Sequence, residues 1–144
     1  MIDKPQMVDT AHSYTEDDVS EYSYDQAATG KLTGHGGKPL VAHVKITTAY
    51  TGAATGVRIF VVDSDSADLS SDRAIAMFPS GSCDDDGIIP TTDIDAIGDH
   101  LQCVVPPGIE LKRYLGIHVV PANEALATGA QDGWFDDQME PPNQ

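Results

Sequence analysis

The chain has 144 residues, enough for one ordinary domain that buries about 70% of its unfolded surface on folding. Its 23 acidic and 8 basic residues give a formal net charge of −15, which disfavours direct nucleic-acid binding because phosphate recognition needs clustered Lys and Arg. No stretch approaches the roughly 20 apolar residues that span a bilayer, and the N-terminus lacks a signal-peptide pattern, so we expect neither membrane insertion nor secretion.

The first predicted elements are an arm and a short strand. Residues 1–18 are polar and weakly periodic, so they cannot order themselves by hydrophobic burial alone, and we predict an extended N-terminal arm. Residues 19–25 are rich in residues that favour strands. We therefore expect the folded domain to begin at residue 19.

The two clearest strands follow in the middle of the chain. Residues 40–50 alternate strictly, which places Leu40, Ala42, Val44 and Ile46 on one face of a strand. Residues 57–62 are apolar on both faces except for one arginine, as is typical of a strand inside a sandwich. The linker between them has two glycines and small residues, which favour a hairpin loop, so we predict that these strands pair antiparallel.

The rest of the chain continues the β pattern. Further strands are predicted over residues 73–78, 100–105, 112–120 and 130–135, and single helical turns over residues 92–97 and 121–127. Clusters of Gly, Pro, Asp and Ser separate these segments. The sequence therefore predicts an all-β, antiparallel β-sandwich or jelly roll of about seven to eight strands over residues 19–135, followed by an acidic tail over residues 136–144.

The acidic loop after the second clear strand is the best candidate for a cation site. Asp63, Asp65 and Asp68 occupy spaced positions in a loop, as calcium ligands do. The EF-hand template fails, because Ala67 stands where an oxygen ligand is needed and Ala74 stands where Glu is needed. We predict a solvated turn and no metal site, and the sequence leaves open whether these three aspartates bind a cation.

The sequence offers no convincing catalytic or cofactor site. Cys83 precedes three aspartates, which raise a thiol pKa and disfavour a nucleophile, and Cys83 and Cys103 are expected to be reduced residues of the core. The glycine-rich stretch at residues 34–38 lacks the order of a phosphate-binding loop. None of the five histidines has ligand spacing: His12, His35, His43, His100 and His118. We therefore predict a protein that is not an enzyme and has no cofactor.

Aromatic residues near the two ends are candidates for an interface. These residues are Tyr14, Tyr22, Tyr24, Trp134 and Phe135. Aromatic side chains anchor protein interfaces, but they also fill the cores of sandwiches, and both interpretations remain open. Since Trp134 and Phe135 are adjacent, they cannot both point inward from one strand.

The order of these features resembles a family of phage capsid proteins. Four stretches carry the resemblance: DTAH at residues 9–12, VSEYSYD at 19–25, GGKPLVAHV at 36–44 followed by TTAYTGA at 47–53, and PPG at 106–108 leading to KRYL at 112–115. In this order they are similar to the single-domain jelly-roll cement, or decoration, proteins of tailed bacteriophages. The acidic end of the chain departs from the family, in which a final strand usually closes the sheet near the C-terminus.

The resemblance implies a structural role on a virus particle. It implies a non-catalytic homotrimer, made in the host cytoplasm, that binds the major capsid protein on the outer surface of the virion at threefold or quasi-threefold positions. The arm and its flanking tyrosines would grip the shell, so deleting residues 1–16 is expected to leave a folded domain that no longer decorates it. The alternative function is a carbohydrate- or calcium-binding jelly-roll module.

Overall fold

A computed structural model describes residues 6–25, 31–32, 40–52, 54–106 and 109–136. These residues form twelve β-strands and one short 3-10 turn, Thr91–Asp93, and no α-helix. The strands build two antiparallel sheets that pack face to face. The predicted all-β antiparallel sandwich is therefore confirmed. Within the same ranges, no helix has the length and hydropathy that crossing a lipid bilayer requires.

The two sheets have different sizes. The first sheet contains four strands, in the order β1 (Gln6–Ser13), β12 (Leu126–Asp136), β5 (Val41–Gly52) and β9 (His100–Val104). The second is centred on β11 (Tyr114–Pro121) and β6 (Gly56–Ser64), with β2 (Asp18–Val19) and β3 (Tyr24–Asp25) along β11, and β7 (Arg73–Met77) and β8 (Ile89–Pro90) along β6. A separate two-stranded ribbon joins β4 (Lys31–Leu32) to β10 (Glu110–Leu111).

The core lies between the inner faces of the two sheets. Ala42, Val44 and Ile46 on β5 point into it, as their alternation predicted, and Leu40 packs against it half-buried. Every second residue of β6 and of β11 also points into the core, including Ile59 and Val61 on β6 and Ile117 and Val119 on β11. Each fully buried Val or Ile contributes about 1.5–3 kcal/mol relative to an exposed side chain. This burial is what holds the two sheets together.

The predicted hairpin between residues 40–50 and 57–62 is wrong. The strand β5 pairs with β12 and β9, whereas β6 pairs with β11, β7 and β8, so the two strands lie in opposite sheets. The two glycines of the linker do not form a hairpin turn; they allow other segments of backbone to approach closely. A Cβ on Gly52, whose φ is +133°, would lie 2.4 Å from Ala127 N, and one on Gly56 would lie 2.2 Å from Ile89 O.

The predicted N-terminal arm is wrong over the residues that the structure describes. Residues 6–13 form β1, which pairs with β12 at the edge of the first sheet, and Val8 and Tyr14 are fully buried. Two irregularities in the pairing hide the strand from a periodicity analysis, because the register shifts between Met7 and Asp9 and again between Asp9 and His12. Residues 1–5 of the predicted arm and 137–144 of the predicted tail lie outside the described residues.

Smaller differences concern the edges of the second sheet. The strand predicted over residues 19–25 is two short strands, β2 and β3, which both pair with β11. The helical turn predicted over residues 121–127 is absent, because β11 ends at Pro121 and β12 begins at Leu126. The turn predicted over residues 92–97 is the 3-10 turn, which begins one residue earlier.

Deleting residues 1–16 is now expected to unfold the domain, and not only to remove a contact with the shell. The deletion removes β1 and the buried side chains of Val8 and Tyr14, and losing one buried aromatic side chain alone costs about 3–5 kcal/mol. Urea unfolding followed by circular dichroism measures the effect. Deletion of residues 1–5 is the control, because it leaves β1 in place, and an unchanged midpoint in the longer deletion would contradict the role of β1.

Candidate functional site

The aspartates predicted as a possible cation site have separate structural roles. Asp63 is fully buried at the end of β6, where Arg73 donates from Nε and Nη2 to its two oxygens at 3.0 and 2.6 Å. The backbone N–H of Lys112 donates to the same carboxylate at 3.0 Å. This hydrogen bonding also raises the pKa of Arg73 above its usual value. Asp63 therefore ties β6 to β7 and to the segment that leads into β11.

The other two aspartates of the loop face the solvent. Asp68 accepts a hydrogen bond from the backbone N–H of Ser70 at 2.9 Å, and its bonds to Ser70 lower the pKa of Asp68. Asp65 is exposed. The loop therefore satisfies its own backbone, as an Asx turn does. In the part of the chain that the structure describes, no three His, Cys, Asp or Glu side chains are grouped so that they could hold a metal ion.

The two cysteines are free thiols in different surroundings. Cys103 belongs to the core, as predicted, and burial raises its pKa to about 11. Its Sγ donates a weak hydrogen bond to the carbonyl of Met77 at 3.5 Å. Cys83 is half-buried at the border of the core, and the neighbouring Asp84 accepts hydrogen bonds from the backbone N–H groups of Asp86 and Ile88. These contacts fold the acidic loop onto itself.

The aromatic residues predicted at an interface are mostly in the body of the protein. Tyr14 and Phe135 are fully buried, and Tyr24 is half-buried and stacks on Phe135 with ring centroids 6.3 Å apart. An interface role for Tyr14 and Phe135 is therefore wrong, because burial leaves them no surface for a partner. Trp134 points away from Phe135, as alternation requires, and is 9% exposed. Tyr22 is 59% exposed, so its interface role stays a prediction.

Two histidines and a tryptophan form a cluster on the outer face of the first sheet. His43 is fully buried, and its ring stacks on Trp134 with centroids 5.0 Å apart and an interplanar angle of 7°. His43 Nδ1 and His100 Nε2 lie 3.0 Å apart and share a hydrogen bond. Sequence analysis missed this cluster, because only the pairing of β5 with β9 and β12 brings the three residues together.

Of the other histidines named in the sequence analysis, His35 lies outside the described residues.

A third histidine, His118, lies between two carboxylates. Its Nδ1 is 2.7 Å from Asp72 Oδ2, and its Nε2 is bonded to Asp17 Oδ1. Burial alone would lower the pKa of His118, but the hydrogen bonds to Asp17 and Asp72 outweigh burial and raise the pKa above its ordinary value of 6.5. The imidazolium form therefore bridges two surface segments that the sequence places 55 residues apart (72 − 17).

A buried polar cluster connects β1 to its surroundings. The irregular pairing of β1 turns Asp9 inward, where Tyr14 Oη donates to it at 2.5 Å and the N–H of Glu21 donates at 2.8 Å. Burial raises the pKa of Asp9 to about 6, although the hydrogen bonds from Tyr14 and Glu21 act in the opposite direction. Nearby, Tyr50 Oη donates to Gln131 Oε1 at 2.7 Å. These contacts provide hydrogen-bond partners for the Asp9 carboxylate and for the two tyrosine hydroxyls inside the sandwich.

Comparison with known proteins does not identify a family: no protein-family model matches the sequence, and no curated protein matches it significantly. The sheet topology defines the chain as an all-β, two-sheet sandwich protein. Its buried acidic groups are bonded to neighbouring strands and loops.

Replacing Asp63 by alanine is expected to destabilise the domain by roughly 2 kcal/mol, because the change removes the buried carboxylate to which the partly exposed Arg73 donates two charge-assisted hydrogen bonds. It also leaves the N–H of Lys112 without an acceptor. Chemical unfolding of Asp63→Ala measures the loss. Asp65→Ala, in the same loop but exposed, is the matched control and should change the free energy of unfolding by less than about 0.5 kcal/mol.

The raised pKa of Asp9 predicts a specific pH dependence. Because the folded-state pKa of about 6 exceeds the ordinary value of 3.8, the stability that Asp9 contributes is fully present below pH 3.8 and is lost as the pH rises through about 6. The free energy of unfolding in urea should be measured for wild type and for Asp9→Asn between pH 4.5 and 7.5. The wild-type value minus the Asp9→Asn value should decrease as the pH increases. Asp95→Asn, an exposed change, controls for net charge, and a flat difference curve would refute the assignment.

Proposed function

We propose that this chain is a capsid cement protein, which binds the outer surface of a tailed-phage head and stabilises the shell by bridging neighbouring capsid subunits. It transforms no substrate. The observation that carries the proposal is the two-sheet, all-β sandwich, which is the fold implied by the four sequence stretches that resemble the cement family. Of these stretches, residues 40–44 and 47–52 lie in or beside β5, and residues 112–115 lead into β11, so they lie in central strands of both sheets.

The use of the polar side chains supports a structural role. Asp63 holds Arg73, Arg113 holds Asp25 through two bonds of 2.8 and 3.0 Å, and Asp84 closes its own loop. Each of these groups is bonded to another group of the same domain. A rigid body with a net charge of −15 stays soluble and resists non-specific association with polyanions, as a protein on the outside of a particle requires.

The partner in this proposal is the major capsid protein, and the acting unit is a homotrimer at threefold or quasi-threefold positions on the virion. Three copies that bind together raise the overall affinity by a factor on the order of 100 to 10,000 over a single contact. Each copy then needs only a small interface. A trimer also bridges several capsid subunits at once, which is how it would oppose outward pressure on the shell.

Tyr22 is the residue best placed to anchor the contact. Its side chain is 59% exposed, whereas its backbone is fixed, because its N–H donates to the Val8 carbonyl at 2.9 Å and its own carbonyl accepts from Ser20 Oγ at 2.8 Å. An aromatic side chain on a fixed backbone loses little entropy on binding. Such residues are the usual hot spots of protein interfaces.

Electron microscopy of shells mixed with the protein tests the proposal. Wild-type protein, added to source particles that lack it, is expected to appear at threefold positions, and its failure to bind under any condition would refute the cement function. Tyr22→Ala should weaken binding by at least about tenfold, as loss of an interface hot spot does. Ile97→Ala is the matched control, because Ile97 is also apolar and is 79% exposed. Normal binding by Tyr22→Ala would refute only the anchor.

A further inference from the structure

His118 connects three separate parts of the surface. It lies on the outer face of β11, with Asp72 at the end of the loop between β6 and β7 on one side, and Asp17 from the segment between β1 and β2 on the other. The side chain of Asp72 is 19% exposed, and that of Asp17 is 63% exposed. Both ring nitrogens therefore face carboxylates, one sheltered and one open to water.

We propose that Asp17, His118 and Asp72 form a proton-controlled clamp, which holds the segment around Asp17 against β11 when the imidazole is charged and releases it through Asp17 when the imidazole is neutral. The charged ring has two N–H groups and donates one to each carboxylate. A neutral ring has one N–H, so its other nitrogen would present a lone pair to an oxygen. One carboxylate must then leave.

The different exposures of the two carboxylates decide which one leaves. Asp17, at 63% exposed, is already largely hydrated, whereas Asp72, at 19% exposed, would have to leave a more sheltered position. Retaining the sheltered bond costs less, because an unsatisfied buried acceptor carries a desolvation penalty. The neutral ring therefore keeps its Nδ1–H bonded to Asp72, and Asp17 turns to solvent.

The movement is confined to a short segment by fixed hydrogen bonds on both sides. The carbonyl of Thr15 accepts from the N–H of Leu126 at 2.8 Å, and the N–H of Ser20 donates to the Ile117 carbonyl at 2.7 Å. Residues 16–19 lie between these anchors, and Asp18 and Val19 are also held by the pairing of β2 with β11. Release of Asp17 therefore frees residues 16 and 17 without opening the core.

The release also changes the charge of a neighbouring cleft. This cleft, of about 320 Å³, is lined by Glu16, Asp17 and Glu124 together with the end of β11 and the β11–β12 connection. In the clamped state the positive imidazolium partly neutralises Asp17. In the released state Asp17 becomes a third uncompensated carboxylate beside Glu16 and Glu124, so the cleft becomes more negative as the pH rises.

The remaining charged groups near His118 do not replace either carboxylate. On β2, Val19 lies opposite His118, and the next residue, Asp18, is 3.5 Å from His12 Nε2. On β6, the residue opposite is the uncharged Phe60, and the nearest cation along that strand, Arg58, donates to the Asp86 carbonyl at 3.0 Å. The direct partners of His118 are therefore Asp17 and Asp72.

The sign of the effect follows from linkage. The folded state raises the pKa of His118, so the stabilisation that it contributes is fully present below pH 6.5 and is lost as the pH rises through the raised value. The clamp is thus closed below pH 6.5 and opens as the pH rises through the raised pKa of His118.

Nuclear magnetic resonance of the full chain tests the clamp directly. In wild type, order parameters of residues 16 and 17 should fall from about 0.85 to below about 0.6 as His118 titrates, with residues 65–72 unchanged. His118→Gln should show the mobile segment at every pH, and Asp17→Asn should lose the pH response while its folded core remains intact. Asp95→Asn, a change of an exposed carboxylate away from the clamp, is the control and should behave like wild type.

Two results would overturn the clamp. The first is that residues 16 and 17 of wild type remain equally ordered on both sides of the His118 titration, and the second is that Asp17→Asn retains the full pH response. Because these measurements need no capsid, their outcome is independent of the proposed cement function.

Discussion

The antiparallel pairing of β5 with β12 is the interaction on which the rest of the structure depends. It joins residues 41–52 to residues 126–136 and forms the centre of the first sheet, with β1 and β9 at its edges. On the inner face it brings Phe135 and Ala42 into the core, and on the outer face it stacks Trp134 on His43. Both the core and the aromatic cluster therefore follow from one register.

Scarce positive charge is the second constraint on this molecule. All three arginines bind oxygens of neighbouring loops or strands: Arg58 binds the Asp86 carbonyl, Arg73 binds Asp63, and Arg113 binds Asp25. Among the described residues, the carboxylates bonded to an arginine are Asp63 and Asp25, and protonated His118 adds a cation whose charge depends on pH. The second sheet thus combines arginine contacts of fixed charge with a histidine contact whose charge depends on pH.

The location of the acidic and aromatic groups narrows the proposed mode of binding. Most of the predicted interface aromatics are used to build the sandwich, and Tyr22 is presented on a backbone that β1 and Ser20 hold in place. Since residues 6–13 belong to the first sheet, the grip in a cement protein of this kind would come from the folded surface. A pre-organised contact of this type loses less entropy on binding than an arm that orders on the shell.

The sequence by itself determined the fold class, the approximate positions of the main strands and the inner face of β5, because alternation with period two is a local property of the chain. Only the tertiary structure decided which strands pair, since β5 takes partners far along the chain instead of its neighbour β6. It also decided that Asp63 meets Arg73 and that His118 meets Asp17 and Asp72. Such meetings depend on register and sheet packing, which no local pattern of residues encodes.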